Sequence, residues 1–144
     1  MLEEMKAMVK EKDMCVMATV FQDTPHCSLM TYICDDACQE IYMVTQKKTQ
    51  KYKNLLENPT VSLLIDSREE HTGSSRRNAK AMTISGTFHK IENESEKKKA
   101  GTRLLERHPH LEVFFDDPDT EVFGVSVSSF LLLDGLTEAY FEKI

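Results

Sequence analysis

The sequence predicts an α+β chain, mainly β, folded as a closed or split antiparallel barrel with a few helices at its periphery. Two observations carry this. Six or seven apolar or alternating runs follow one another through short turns, which join antiparallel neighbours; parallel strands would each need a helical crossover. The stretches with helical apolar spacing are few and are inserted between strands at intervals. Neither a GxGxxG nor a GxxxxGK[ST] loop is present, so no Rossmann or P-loop phosphate site is available.

Taken in order, residues 2–12 form an amphipathic helix with Leu2, Met5, Met8 and Val9 on one side. Met14–Phe21 is a strand, and Gln22-Asp23-Thr24-Pro25 supplies the turn that ends it. His26–Cys34 pairs back as a second strand. Asp35–Gln39 is a turn and Glu40–Thr45 a third strand. A helix at Thr49–Glu57 buries Tyr52, Leu55 and Leu56 at helical spacing and stops at Asn58-Pro59. Thr60–Asp66 is a nearly continuous apolar run, which predicts a strand buried on both faces. Ser67–Lys80 is polar and reads as a long loop. Ala81–Ile91 is the next strand, with Gly86 marking a bulge or a close backbone approach. Asn93 caps a helix with Glu96 in capping-box spacing; Ala100, Leu104 and Leu105 are its apolar stripe, and His108-Pro109 ends it. A short turn from Pro109 carries Leu111, Phe114 and Phe115. Two strands, 121–133 and 136–142, close the chain around Asp134-Gly135, a hairpin pair.

The 144 residues, with no repeat, linker or low-complexity tract, are expected to form a single domain over 1–144. A net charge of −6 argues against a broad nucleic-acid footprint. Met1-Leu2-Glu3-Glu4-Met5-Lys6 lacks the apolar run of a signal peptide, and no apolar run approaches a membrane span. The expectation is a soluble, cytoplasmic protein with reduced thiols and neither membrane nor nucleic acid as partner. The Cys34-x3-Cys38 pair lacks a second Cys or His pair nearby, so no metal site is assigned. His108-Pro109-His110 reads as a helix stop and restart.

One stretch points to chemistry. Thr45-Gln46-Lys47-Lys48-Thr49-Gln50-Lys51-Tyr52-Lys53 follows an apolar strand and opens a helix. A helix N-terminus carries unpaired N–H groups and partial positive charge, so it favours anions and repels lysines. Four lysines and two threonines at that end make sense around a multiply charged anion, most simply a phosphate. The alternative is a solvated lysine-rich surface.

The order of elements, together with Pro25-His26-Cys27-Ser28-Leu29-Met30-Thr31-Tyr32, Thr45 to Leu55, Ala81-Met82-Thr83-Ile84-Ser85-Gly86 and Arg107-His108-Pro109, resembles the pyridoxamine 5′-phosphate oxidase-like FMN-binding split β-barrel proteins. The resemblance runs from Met14 to Phe141. It implies a split β-barrel and an FMN cofactor. It also implies a phosphate pocket of Thr45, Thr49, Gln50 and Lys51, and a flavin ring lying along Ser28, Leu29, Met30 and Thr31. A homodimer with cofactor sites at the interface is implied too, the partner contributing from the strand near Ala81 and Met82.

Departures narrow the reading. Family enzymes that oxidise vitamin B6 have Arg where this chain has Ser28, Lys where it has Ile33, Arg where it has Gln50 and Gln where it has Ala81; they also carry a C-terminal Trp, and this chain has none. An FMN pocket survives without that substrate, with Lys48 or Lys47 standing in for the lost positive charge. No catalytic residue is assigned, since His26 and Tyr32 read as strand-face residues. The resemblance therefore implies an FMN-dependent oxidoreductase acting on an unidentified small molecule. The alternatives are a non-catalytic flavin-binding or sensing protein, or the same fold with haem or a deazaflavin. A haem would draw its axial ligand from His26, His89 or His108.

Overall fold

The computed structural model describes residues 1–144. Its strands are β1 (Met14–Phe21), β2 (Thr24–Thr31), β3 (Ile33–Cys34), β4 (Glu40–Gln46), β5 (Thr60–Asp66), β6 (Lys80–Lys90), β7 (Thr120–Asp134) and β8 (Glu138–Lys143). Its helices are α1 (Leu2–Glu11), α2 (Gln50–Glu57), α3 (Glu94–Arg107) and α4 (Glu112–Phe115). The strands pair antiparallel in the order β2-β1-β5-β6-β7-β4-β3, with β8 beside the C-terminal half of β7. The sheet curls into a half-barrel. Alternate residues of its inner face, among them Met17, Ile41, Met43, Leu63, Ile65, Met82, Ile84 and Phe130, make the main core, which α1 closes with Met5 and Val9 and α2 with Tyr52 and Leu55. A second core under α3 joins Ala100, Leu104 and Leu111 to Ile33, Val44 and Val122.

Four expectations are corrected. The predicted strand His26–Cys34 is two strands that pair with different neighbours, β2 with β1 and β3 with β4. The break falls at Tyr32, and two side-chain bonds at that residue explain it. The Tyr32 hydroxyl donates to the Val9 carbonyl (2.6 Å), and His108 Nε2 donates to the Tyr32 carbonyl (2.9 Å). Arg107 then donates to the carbonyls of Lys10 and Lys12 at the end of α1 (3.1 and 3.0 Å). Tertiary anchoring of α1 and α3 on one residue has overridden a continuous strand. Next, β5 alternates strictly, with Val61, Leu63 and Ile65 inward and Ser62 and Leu64 outward, so an apolar run did not mean burial on both faces. Leu56 is exposed, leaving Tyr52, Asn54 and Leu55 as the buried stripe of α2. Finally, the Ser67–Lys80 loop holds two 3₁₀ turns, at Arg68–Glu70 and Gly73–Asn78. Lys12 ties the first turn to α1 through Glu70 (2.8 Å).

Gly86 behaves as its position in the strand implies. The β6–β7 register shifts between Ser85 and Gly86, and a Cβ there would lie 2.6 Å from the Ser126 carbonyl oxygen and 2.7 Å from Val125 Cγ1. Asn93 caps α3, its side chain accepting from the Glu96 amide (3.0 Å). At the C-terminal end of α1, the Arg107 guanidinium satisfies carbonyls that a helix leaves unpaired. Replacing Arg107 by alanine is expected to cost about 1.5 kcal/mol, the lower end for hydrogen bonds to a charged group, in urea unfolding. An unchanged midpoint would show that water satisfies those carbonyls equally well.

The outer face of the sheet carries an unusual row. In register across six strands run Leu29, Val16, Leu64, Thr83, Leu131 and Phe141. Leu29 is 69% exposed, Leu64 37%, Leu131 39% and Phe141 64%, with Leu133 alongside. Singly, exposed apolar residues need no explanation; here they share one face in register.

Candidate functional site

A groove of about 410 Å³ opens where the end of β2, the end of β4, the start of α2 and the segment after α3 converge. Six of the nine predicted cofactor residues line it: Leu29, Met30, Thr31, Thr45, Thr49 and Lys51. They come from β2 and from the β4–α2 junction, and the curl of the sheet brings these two segments together although β2 and β4 are not paired. Ser28, Lys48 and Gln50 are not in its lining.

The turn before α2 is held rigidly. The Gln46 side-chain amide donates to Asp117 (2.9 Å), and the Lys48 backbone amide donates to Asp119 (3.2 Å). Thr49 is the helix cap: its hydroxyl donates to the Gln46 carbonyl (2.9 Å) and accepts from the Tyr52 amide (3.2 Å). The remaining first-turn amides have no intrahelical acceptor, so the helix end faces the groove with donors to spare.

The four lysines separate. Lys47 turns to the buried Glu121 carboxylate (3.5 Å), which Lys97 also contacts (2.5 Å). Lys48 and Lys53 are exposed. Lys51 alone enters the groove; it makes no ion pair, and burial lowers its pKa from the ordinary lysine value. Not one of the twelve lining residues is Asp or Glu, although the chain has 24 of them. A half-buried ammonium without a counter-ion, beside a helix N-terminus in a groove lined by no carboxylate, is electrostatically suited to an anion. Gln50 cannot take the role of the missing arginine here, because its amide donates to Asn54 (2.8 Å), which in turn donates to Thr19 (3.1 Å). With Lys47 paired and Lys48 outside the lining, neither is placed as the substitute charge either.

On β2, Leu29 and Thr31 lie on the outer face, opposite Val16 and Met14, while Met30 is buried opposite Cys15. Met14, Leu111 and Phe114 complete the apolar wall. Such a groove suits a planar apolar ring with an anionic tail. His110, on the rim, was not singled out from the sequence as a site residue. Its only signal was its place two residues after the helix stop.

The three histidines weighed for haem are elsewhere. His108 is buried on the Tyr32 carbonyl, and His26 is exposed on β2 away from the groove. His89 lies in a larger cleft of about 700 Å³ between α3 and the β3–β4 turn, with Asp35, Glu40, Tyr42 and Arg103. That cleft mixes acids and bases and offers no anion site. Its Glu40 carboxylate accepts from His89 Nε2 (2.8 Å) and from the Ser126 hydroxyl (2.6 Å), while His89 Nδ1 faces the Lys90 carbonyl (3.1 Å). Both ring nitrogens face acceptors that have no proton to give, so the imidazolium is favoured. Burial lowers the His89 pKa, but the Glu40 hydrogen bond, the Lys90 carbonyl and the charges of Glu40 and Glu96 outweigh it and leave it raised. A raised folded value means stabilisation that is full below the unfolded value, about 6.5, and is lost as pH rises through the folded value. The stability gap between the native chain and His89→Gln is therefore expected to be larger at pH 6 than at pH 9 in urea titrations. A gap that widens with pH would mean His89 is neutral in the fold.

The sequence matches the family model described as pyridoxamine 5′-phosphate oxidase over residues 1–133. No curated protein matches the chain. Among solved structures, a haem-binding protein from Mycobacterium smegmatis superposes with a TM-score of 0.85 at 18% identity, covering 98% of this chain and 57% of that one. This chain thus spans little more than half of that protein. A FAD-binding protein from Mesorhizobium loti gives a TM-score of 0.72 at 14% identity, covering 92% and 91% of the two chains. The haem storage protein of Vibrio cholerae gives 0.71 at 18%, covering 96% and 92%. At such identities these neighbours show the fold alone, a split barrel. No helix is long and apolar enough to cross a membrane, and no group of three or more His, Cys, Asp or Glu is placed to hold a metal ion. With 133 of its 144 residues matched, the chain belongs to the pyridoxamine 5′-phosphate oxidase family.

Proposed function

We propose that this chain binds FMN in the groove, as a homodimer, and acts as a flavin-dependent oxidoreductase on a small molecule. The observation that carries the reading is Lys51: a half-buried cation with no counter-ion in a groove without carboxylates. The phosphate would lie against Lys51, Thr45 and the first turn of α2, and the ring would lie along Leu29, Met30 and Thr31 beside Met14. When bound, FMN supplies a hydride acceptor or donor. The protein's part is to fix the phosphate, orient the ring on β2 and keep water from the apolar wall. Apart from the rim His110, no His, Cys, Asp or Glu lines the groove, so proton delivery falls to His110 or to the substrate.

The dimer rests on the outer apolar row. Leu29 belongs both to that row and to the groove, so a second copy seated on the row would also close over the cofactor. Ala81 is on the same outer face, whereas the Met82 side chain is in the core and unavailable to a partner.

Titration of the purified chain with FMN, followed by flavin fluorescence and visible absorption, tests the reading. Saturable quenching with one FMN per protomer is expected. Absence of binding at high micromolar FMN would discard the cofactor. Haem is the second reading, favoured by the two haem proteins of the same fold and by the exposed imidazole of His110 on the rim. A Soret band on adding haemin that disappears in His110→Ala would support haem over flavin.

A further inference from the structure

Away from the groove, two thiols face each other. Cys34 ends β3 and Cys38 sits in the following turn with its Sγ 4.0 Å from that of Cys34. The turn is tightly built. Cys38 adopts a left-handed backbone (φ 57°) and its amide donates to the Asp35 carbonyl (3.1 Å). The Asp35 carboxylate accepts from the amides of Gln39 and Glu40 (2.8 and 3.0 Å). Arg103 donates to the Cys34 carbonyl (3.0 Å) from α3. The backbone around the pair is thus held in place with the two sulfurs already neighbours. Above them lies α1: the Cys38 thiol donates to the Lys6 carbonyl (3.6 Å), and Met5 and Val9 share their core.

We infer that Cys34 and Cys38 are a modification site, a dithiol that a peroxide converts to an intramolecular disulfide once α1 lifts from it. With α1 docked, the pair is inert: burial pushes the Cys34 thiol up to about 12 and raises that of Cys38 as well, leaving almost no thiolate. A helix held mainly by one face, here Met5 and Val9, is an element that opens locally. On opening, Cys38 loses its Lys6 contact and meets solvent. Its thiolate attacks a peroxide oxygen; an S–O bond forms, the O–O bond breaks and hydroxide leaves. The Cys34 thiolate then attacks the Cys38 sulfur; an S–S bond forms, the S–O bond breaks and a second hydroxide leaves. The two thiol protons end in water, and the two electrons lost by sulfur reduce the peroxide.

The test uses the full chain carrying Cys27→Ser, which removes the one exposed thiol. After hydrogen peroxide treatment, quenching, denaturation and alkylation, the expected product carries one alkyl group, on Cys15, with a Cys34–Cys38 link in the peptide map. Opening is set by the anchors of α1, so Arg107→Ala is expected to speed the linkage about tenfold, in proportion to the opening equilibrium. Tyr32→Phe, which removes the bond to the Val9 carbonyl, provides a second and milder release. Three alkylatable thiols under conditions that oxidise the denatured chain would overturn the site. So would sulfinic acid at Cys34 or Cys38 in place of the link. Linkage at one rate in the native chain and both variants would overturn the role of α1. None of these outcomes depends on flavin.

Discussion

Lys51→Ala is expected to weaken FMN binding by about 1.5–3 kcal/mol, the scale of a hydrogen bond to a charged group, and so to raise Kd by roughly 10- to 150-fold. Riboflavin, which lacks the phosphate, should be nearly indifferent to the change. The contrast separates two roles that a single affinity cannot. If Lys51 grips phosphate, only the phosphorylated ligand suffers; if it supports the fold, both lose affinity together and unfolding shifts with them. Lys51 makes no ion pair in the chain, so its removal leaves no carboxylate stranded. Relieving a partly desolvated charge should leave stability unchanged or slightly higher. A control lies in the turn just before the same helix. Lys47 is held by Glu121, so Lys47→Ala should barely alter FMN affinity while exposing the buried carboxylate to the cost of losing a partner.

Leu64→Glu is the second large effect. Leu64 sits mid-row on β5 between Val16 and Thr83, on the outer face. A carboxylate there would be buried without a partner in each protomer of the proposed dimer, at several kcal/mol per charge, enough to weaken dimerisation by 100-fold or more. In the isolated chain the same side chain points to water, so monomer stability should change by no more than about 0.5 kcal/mol. Sedimentation is expected to show monomer where the native chain is dimer, with FMN affinity falling in step because the groove loses its cover. A variant that stays dimeric would place the interface elsewhere, and a native chain that sediments as monomer would remove the dimer itself.

Much of the fold was legible because antiparallel strands announce themselves locally. Alternation in Met14–Phe21, the Asn93 cap with Glu96, the Asp134-Gly135 turn and the demand for glycine at position 86 all act over a few residues, and each reappears in the structure. The failures have a common cause. Tyr32 breaks a strand because Val9 and His108, 23 and 76 residues away, bind it. Leu64 and Leu56 look like core in a list of apolar residues, yet face outward once strand and helix are set down. Hydrophobicity states what a residue would gain by burial, not whether a neighbour arrives to bury it.

The same division holds at the site. That a helix starts at Thr49 after an apolar strand, with lysines crowding its start, is readable along the chain, because capping and charge are properties of adjacent residues. Which lysine is free is not readable there. That depends on Glu121 arriving from β7 to take Lys47, on Asn54 drawing Gln50 aside, and on β2 and the segment after α3 walling Lys51 into a space without carboxylates. Charge neutralisation acts through space, and only the folded chain brings together residues from three distant segments to decide it.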